Sequence, residues 1–295
     1  MSAAGRVAPP VRSQPPDDLY YRLAWRSRMV RSGTHQSRRA GSGGIFRDLT
    51  SLMAHPDPRR IDVRQTLRDP FDGVHVRRFQ ETSSARVALL ADVSGSMAFS
   101  GNTRKWAVLT ELACVLSASA RRASDTFTLL ACDSVVRDDL SFSATRSAAA
   151  AGEMRQRLLS VRPSRRGSAG LVAAATQLAG RRSLVFLVSD FCFDETEIAA
   201  TFEALSAHDV IPIVLIDSAE ASALPDWGLI QMQDIETGRR RLVAMRPSLK
   251  ASWLRRSEAR RSALRALAAR FGREPFEITD QIDWDAFAAC LMRGA

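Results

Sequence analysis

The chain has 295 residues, 45% of them hydrophobic and 25% charged, which excludes full-length disorder and suits one large α/β domain or one domain with additions. The net charge is +10, but only Lys105 and Lys250 are lysines and the arginines are spread along the chain. Scattered charge lacks the clustered footprint of phosphate recognition, so nucleic acid is not favoured as a partner. Cys114, Cys132, Cys192 and Cys290 form no C-x-x-C pair and each lies in an apolar stretch. They read as reduced, buried small hydrophobes of a reducing compartment. No apolar run is long enough to span a bilayer, and Met1 to Pro16 lacks the apolar core of an export signal, so a soluble cytoplasmic protein is expected.

In chain order, residues 1–16 read as a disordered tail, with Pro9, Pro10, Pro15 and Pro16 opposing regular structure. Residues 17–84 form an N-terminal segment. Asp17 or Asp18 can cap a helix from Leu19 to about Val30. Ser32 to Gly44 reads as a Ser/Gly/Arg-rich loop. Its Gly41-Ser42-Gly43-Gly44 run is no phosphate cradle, since no Lys-Ser/Thr follows. Asp57, Arg59, Arg60 and Asp62 read as an ion-pair and turn cluster, Ile61 to Leu67 as extended, and Val74 to Phe79 as a strand whose Arg77 and Arg78 protect an edge.

Over 85–220 the pattern alternates between buried strands and helices. Arg86 to Ala91, Ser183 to Ser189 and Val210 to Ile216 are continuous apolar strands. Thr126 to Cys132 is a further strand, which Val135 to Phe142 extends into a hairpin. Thr103 to Arg122 has apolar residues at helical spacing, and Gly152 to Val161, Ser168 to Ala179 and Asp194 to Ala207 read as helices. The fold class is therefore α/β, a doubly wound, mostly parallel sheet with helices on both faces. Residues 221–295 complete the domain with a hairpin (Leu229 to Ile235, Arg240 to Met245), a helix capped by Ser248 and running to about Phe271, a strand from Glu274 to Ile278 and a helix from Asp283 to Met292. Amphipathicity against the domain accounts for Arg255, Arg256, Arg260 and Arg261 on the long helix, with a membrane-surface or acidic-partner face as the runner-up.

The informative string is Ala91-Asp92-Val93-Ser94-Gly95-Ser96-Met97, which follows a buried strand and precedes a helix. In a parallel sheet this is the carboxyl end of a strand, where such folds place ligand sites. A carboxylate and two hydroxyls at alternate positions can converge on one point. Two later segments end nearby: Arg166-Gly167-Ser168-Ala169-Gly170 opens a helix, and Val188-Ser189-Asp190-Phe191 ends the second buried strand. Asp92, Ser94, Ser96, Ser168 and Asp190 offer only oxygen, which suits Mg2+ or another divalent cation such as Mn2+ or Ca2+ and does not suit zinc. A helix cap alone explains Asp92 but not the set.

Asp92-x-Ser94-x-Ser96 with Ser168 and Asp190 resembles the metal-ion-dependent adhesion site of von Willebrand factor A domains, with Ser168 where that family has threonine. Asp57-Pro58-Arg59-Arg60-Ile61-Asp62-Val63-Arg64, then Val74-His75-Val76-Arg77-Arg78-Phe79 and the metal loop, resembles the bacterial domain-of-unknown-function fifty-eight family, with Val63 in place of its tryptophan and Arg78 in place of an acid. The stretch Asp62-Val63-Arg64 to Leu67-Arg68-Asp69-Pro70-Phe71 is similar to members encoded with methanol dehydrogenase maturation genes. The resemblance implies a MoxR-type AAA+ ATPase as partner, in the assembly or metallation of other proteins.

These readings lead to a non-enzymatic, divalent-cation-dependent protein-binding module, in which a partner's acidic side chain completes the metal shell. One alternative is a magnesium-dependent phosphotransferase or phosphatase. Ser94 stands where that chemistry needs a second aspartate as general acid, and no lysine follows at the later strand ends. A second alternative is an arginine-rich nucleic-acid or anionic-surface binder. The four histidines are scattered, and no nucleophile elbow, P-loop or dinucleotide fingerprint occurs.

Overall fold

A computed structural model describes residues 15–16, 19–23, 25, 35–41, 45–161, 163, 167–233 and 240–293. The chain divides into two compact units: residues 23–85 with 123–125, and the remainder.

The smaller unit is a three-stranded antiparallel sheet of β1 (His35–Gly41), β2 (Ile45–Ser51) and β3 (His75–Ser83), in the order β1-β3-β2. The expected loop at 32–44 is thus a strand over His35–Gly41, because backbone pairing with β3 overrides weak intrinsic propensity. Ile61 to Leu67 is not extended. Ile61 makes one bridge to Val76, and the Asp62 carboxylate accepts the Gln65 N–H at 3.0 Å, which turns Val63–Thr66 into a short helix, α1. The turn cluster is present: Asp57 caps a 3-10 turn over Pro58–Arg60 and pairs with Arg60 at 3.1 Å. Strand β3 is the central strand, not an edge. Its Arg77 and Arg78 are held in ion pairs with Asp62 (2.7 Å) and Asp48 (2.5 Å).

The larger unit is built on a six-stranded sheet. Its strands are β4 (Arg86–Asp92), β5 (Thr126–Cys132), β6 (Phe142–Thr145), β7 (Leu184–Ser189), β8 (Asp209–Ile216) and, after the separate β9–β10 hairpin (Gly228–Gln233, Arg240–Met245), β11 (Phe276–Thr279). Their order is β11-β8-β7-β4-β5-β6; β6 is antiparallel and the rest are parallel. Counted within the sheet this is 3-2-1-4-5-6, a doubly wound topology that reverses direction at β4. It is the α/β architecture expected from the alternating pattern and from the likeness to von Willebrand factor A domains.

Helices cover both faces because the central strands are apolar on both faces. Ala88, Leu90, Val185, Leu187 and Val210 pack with α4 (Gly170–Gln177), α5 (Glu195–Ala204) and α7 (Pro247–Ala269). On the other face α2 (Lys105–Arg122) lies against β4 and β5, with α3 (Ala150–Ser160) against α2. There Phe287 of α8 (Trp284–Arg293) meets Phe186 at 6.3 Å. A four-residue helix, α6 (Ala219–Ser222), follows β8.

Several expectations are corrected. Leu19 to Leu23 is not helical: Leu19 and Tyr21 are buried while Tyr20 and Arg22 are exposed, a period of two, and Arg22 donates to the Leu291 carbonyl. Most of the remainder of that expected helix, the 42–44 glycine run and the hairpin turn at 234–239 lie outside the described residues. Helix α7 starts at Pro247 without a side-chain cap, and only Leu264 and Ala268 of its 23 residues are buried. Packing against the domain therefore accounts for its C-terminal half alone. Among the cysteines Cys132 is buried, Cys114 and Cys290 are half-buried, and Cys192 is exposed; all four are free thiols. No helix among the described residues is long and apolar enough to cross a membrane.

Candidate metal centre

Strand β4 ends at Asp92, and the chain turns through Ser94, Gly95 and Ser96 before α2. Asp92 is fully buried. One of its oxygens accepts the Ser94 N–H at 2.8 Å and the other the Ser189 hydroxyl at 2.5 Å. Burial, together with the nearby Asp190 carboxylate, raises its pKa well above the usual carboxylate range, against the pull of those hydrogen bonds.

Strand β7 pairs with β4 in parallel register, so the two carboxyl ends are neighbours. Ser189 therefore reaches Asp92, and Asp190 reaches the Ser94–Ser96 loop. The Ser94 and Ser96 hydroxyls lie 3.1 Å apart, and Ser96 donates to Asp190 Oδ1 at 3.2 Å. Asp92, Ser94, Ser96 and Asp190 are thus one connected oxygen cluster. Ser168 is buried, but its hydroxyl donates to Glu197 on α5. Its loop is anchored instead to the end of β5, where Gly170 N–H donates to the Asp133 carbonyl at 3.0 Å. The structure joins four of the five expected ligands and pairs the fifth with a residue not anticipated.

Lys105 was also not anticipated as part of the site. Its ammonium is 2% exposed, lies 3.0 Å from Asp190 Oδ2 and bonds Glu220 as well. Burial works against its charge, but Asp190 and Glu220 outweigh burial and hold its pKa above the ordinary lysine value. A signal existed: Lys105 stands at the head of the buried stripe Leu109, Leu112 and Leu116. At the end of β8, Asp217 accepts N–H groups from Gly101 (2.7 Å), Asn102 (3.0 Å) and Thr103 (3.3 Å), which pins the loop that leads into α2. A side chain at Gly101 would collide with Ala219 Cβ at 2.3 Å, so this close approach requires glycine.

The donor chemistry fits a hard divalent ion. Adjacent ligands of an octahedral magnesium at about 2.1 Å are about 3.0 Å apart, so the 3.1 and 3.2 Å contacts are edge-length spacings. All donors are oxygen, two of them neutral hydroxyls.

A doubly wound sheet with a carboxylate and hydroxyl cluster at its point of reversal defines the class, an α/β protein. Residues 55–263 match the family described as "Protein of unknown function DUF58", and the chain belongs to that family. A Paracoccus denitrificans protein described as "Uncharacterized protein in moxR 3'region" is 38% identical over 104 residues, covering 35% of this chain and 99% of that one. Among solved structures, the conserved hypothetical protein BatB from Bacteroides thetaiotaomicron is similar at 12% identity and a TM-score of 0.45, over 70% of this chain and 96% of that one. An aerotolerance-related membrane protein from Bacteroides fragilis is similar at 15% identity and a TM-score of 0.43, over 70% and 96%.

Proposed function

We propose that this protein is a divalent-cation-dependent protein-binding module, not an enzyme, and that it acts as an adaptor for a MoxR-type AAA+ ATPase in assembling or metallating another protein complex. The observation that carries the reading is the oxygen cluster of Asp92, Ser94, Ser96 and Asp190 with edge-length spacings. Ser94, Ser96 and Asp190 would hold the ion directly, with Asp92 behind Ser94 and Ser189. When bound, the ion supplies an electrophilic position for a carboxylate oxygen. Two neutral hydroxyls leave much of its charge uncompensated, so a partner's Asp or Glu gains by completing the shell. Lys105 holds one oxygen of Asp190, leaving the other turned to Ser96. The ATPase enters through the Paracoccus relative in the moxR 3' region.

Phosphoryl transfer is less well supported. A nucleophilic aspartate needs a free oxygen facing substrate. Both oxygens of Asp92 accept hydrogen bonds inside the fully buried strand end.

Calorimetry with magnesium tests the reading, using the chain and its Asp92→Ala variant with and without a MoxR-type ATPase. The expected result is a binding heat that is lost in the folded variant and a magnesium affinity that rises with the ATPase. A parent chain that takes no magnesium in either setting would falsify the metal site and leave the loop as a helix cap.

A further inference from the structure

Beyond Asp190 the chain makes a strained turn. Phe191 has φ of 51°, a left-handed conformation that an aromatic residue seldom adopts. The turn is held by Phe191 N–H on the Ser189 hydroxyl (2.8 Å) and Cys192 N–H on Asp190 Oδ1 (3.1 Å). Ser189 and Asp190 of the oxygen cluster therefore also hold the turn at Phe191 that leads to Phe193, and the two rings stack at 6.0 Å. Those rings wall an open groove of about 150 Å³ between α5 and α7, floored by Ile198, Leu264 and Leu267. A space of that size accepts a benzene-sized group.

Arg260 stands on the rim of this groove, and Glu195 on the opposite wall opens α5. Arg260 shares the groove with Phe191 and Phe193, the residues that follow Asp190. Arg256 lies one helical turn before it. Both are exposed, and neither is in an ion pair among the described residues, whereas Arg261 and Arg265 farther along are paired with Glu258. Trp253 and Leu254, on the same unpacked half of α7, are 43% and 39% exposed. A slot lined by aromatic and aliphatic side chains, with the Arg260 guanidinium at it and Arg256 one helical turn away, is complementary to an apolar side chain flanked by acids on the α7 side.

We infer that the α5–α7 groove is the second half of a composite docking surface and that its occupant is an acidic, leucine-containing segment of another protein. The apolar side chain enters between Phe193 and Leu264, and a neighbouring carboxylate pairs with Arg260. A further carboxylate reaches the Asp190 cluster, and this part rests on the metal-dependent reading above. The rest of the contact does not need the ion.

The test uses the full chain and fluorescence polarisation of a labelled decapeptide alternating Glu and Leu. Controls carry Gln for Glu or Ser for Leu. Arg260→Glu is an exposed change that leaves folding intact. Ala199→Trp fills the groove, and its fold is checked by circular dichroism. Each variant is expected to weaken the Glu/Leu peptide at least tenfold, in magnesium and in EDTA alike, with both controls binding poorly to the parent. Ser96→Ala, which leaves the Asp190 turn and the Lys105 pair in place, is expected to remove only the magnesium-dependent part. Unchanged binding in both groove variants overturns the groove while leaving the metal reading intact. Groove-dependent binding that ignores magnesium and Ser96 overturns the metal reading and keeps the groove. Self-association of the chain that Ala199→Trp abolishes, or binding to anionic vesicles with none to the peptide, assigns the surface to another occupant and overturns the proposal.

Discussion

Replacing Lys105 with methionine keeps most of the side-chain volume and removes one buried charge. Lys105 and Asp190 are 2% and 3% exposed and lie 3.0 Å apart, whereas the second partner, Glu220, is 38% exposed. Removing one member of a buried pair costs about 3–5 kcal/mol, because the other is left charged and dry. Glu220 can turn to water, so the loss falls at the low end, about 3 kcal/mol, all of it from Asp190. In a unit of this size that lowers the melting temperature by roughly 6–12 °C. Asp190 then stands near Asp92 with no internal cation, and a divalent ion becomes its natural counter-charge. Magnesium at ~100 times its dissociation constant would return about 2.7 kcal/mol. The assay is thermal unfolding followed by near-ultraviolet circular dichroism, in EDTA and in magnesium, on parent and Lys105→Met. The reasoning fails if the variant loses less than about 1 kcal/mol in EDTA, a surface-like effect. It also fails if magnesium raises both melting points equally.

Three further outcomes follow. Ser96→Ala is expected to weaken magnesium at least tenfold, about 1.4 kcal/mol, and Ser168→Ala by much less, because only Ser96 touches Asp190 while Ser168 is committed to Glu197; calorimetry of both variants compares them directly. Gly170→Ala should destabilise the fold by about 2–3 kcal/mol in urea unfolding, since its Cβ would meet the backbone of Asp133 and Val135 at 2.6 Å and neither can move aside cheaply. Burial opposes the charge of Asp217, but the N–H groups of Ala219, Gly101, Asn102 and Thr103 outweigh it and hold its pKa below the ordinary aspartate range. Its contribution is therefore present at neutral pH and lost as pH falls through the folded value, so the parent should lose stability from about pH 5 downwards and Asp217→Asn should show a flatter acid limb.

The sheet was legible because its strands are continuous apolar runs that end in turn residues, and such runs are buried whatever surrounds them. Helix α2 was legible from Leu109, Leu112 and Leu116. Segments whose shape depends on distant partners were not. Strand β1 exists because β3 pairs with it, and α1 forms because one side chain, Asp62, caps it while also pairing with Arg77. Helix α7 was over-read: its arginines and apolar residues suggested one packed face, but its N-terminal half holds no fully buried residue and leaves Trp253 and Leu254 exposed. In the site, Asp92, Ser94 and Ser96 share one loop, and Asp190 could be placed by strand order. The Ser168–Glu197 pair joins a loop residue and a helix residue 29 apart in the chain and left no local signature.

An aspartate at a strand end is weak evidence of a site in this fold. All four central parallel strands end in one: Asp92 closes β4, Asp133 follows β5, Asp190 follows β7 and Asp217 follows β8. Each accepts the backbone N–H two residues on, at 2.8, 3.1, 3.1 and 2.9 Å, which makes the aspartate first of all a turn former. What separates them is the rest of their acceptor capacity. Asp133 takes Arg137 and the adjacent Ser134 hydroxyl, and Asp217 takes three further backbone N–H groups, so both are committed to their own turns and loops. Asp92 and Asp190 are instead met by hydroxyls from each other's strand ends, Ser189 and Ser96, with Lys105 on the second oxygen of Asp190. A hydroxyl can turn its proton away and accept or ligate, which a backbone N–H or a guanidinium cannot. The selective information in Asp92-Val93-Ser94-Gly95-Ser96 therefore lies in the serines. They fall at β4, where the winding of the sheet reverses and where such folds place their ligand sites.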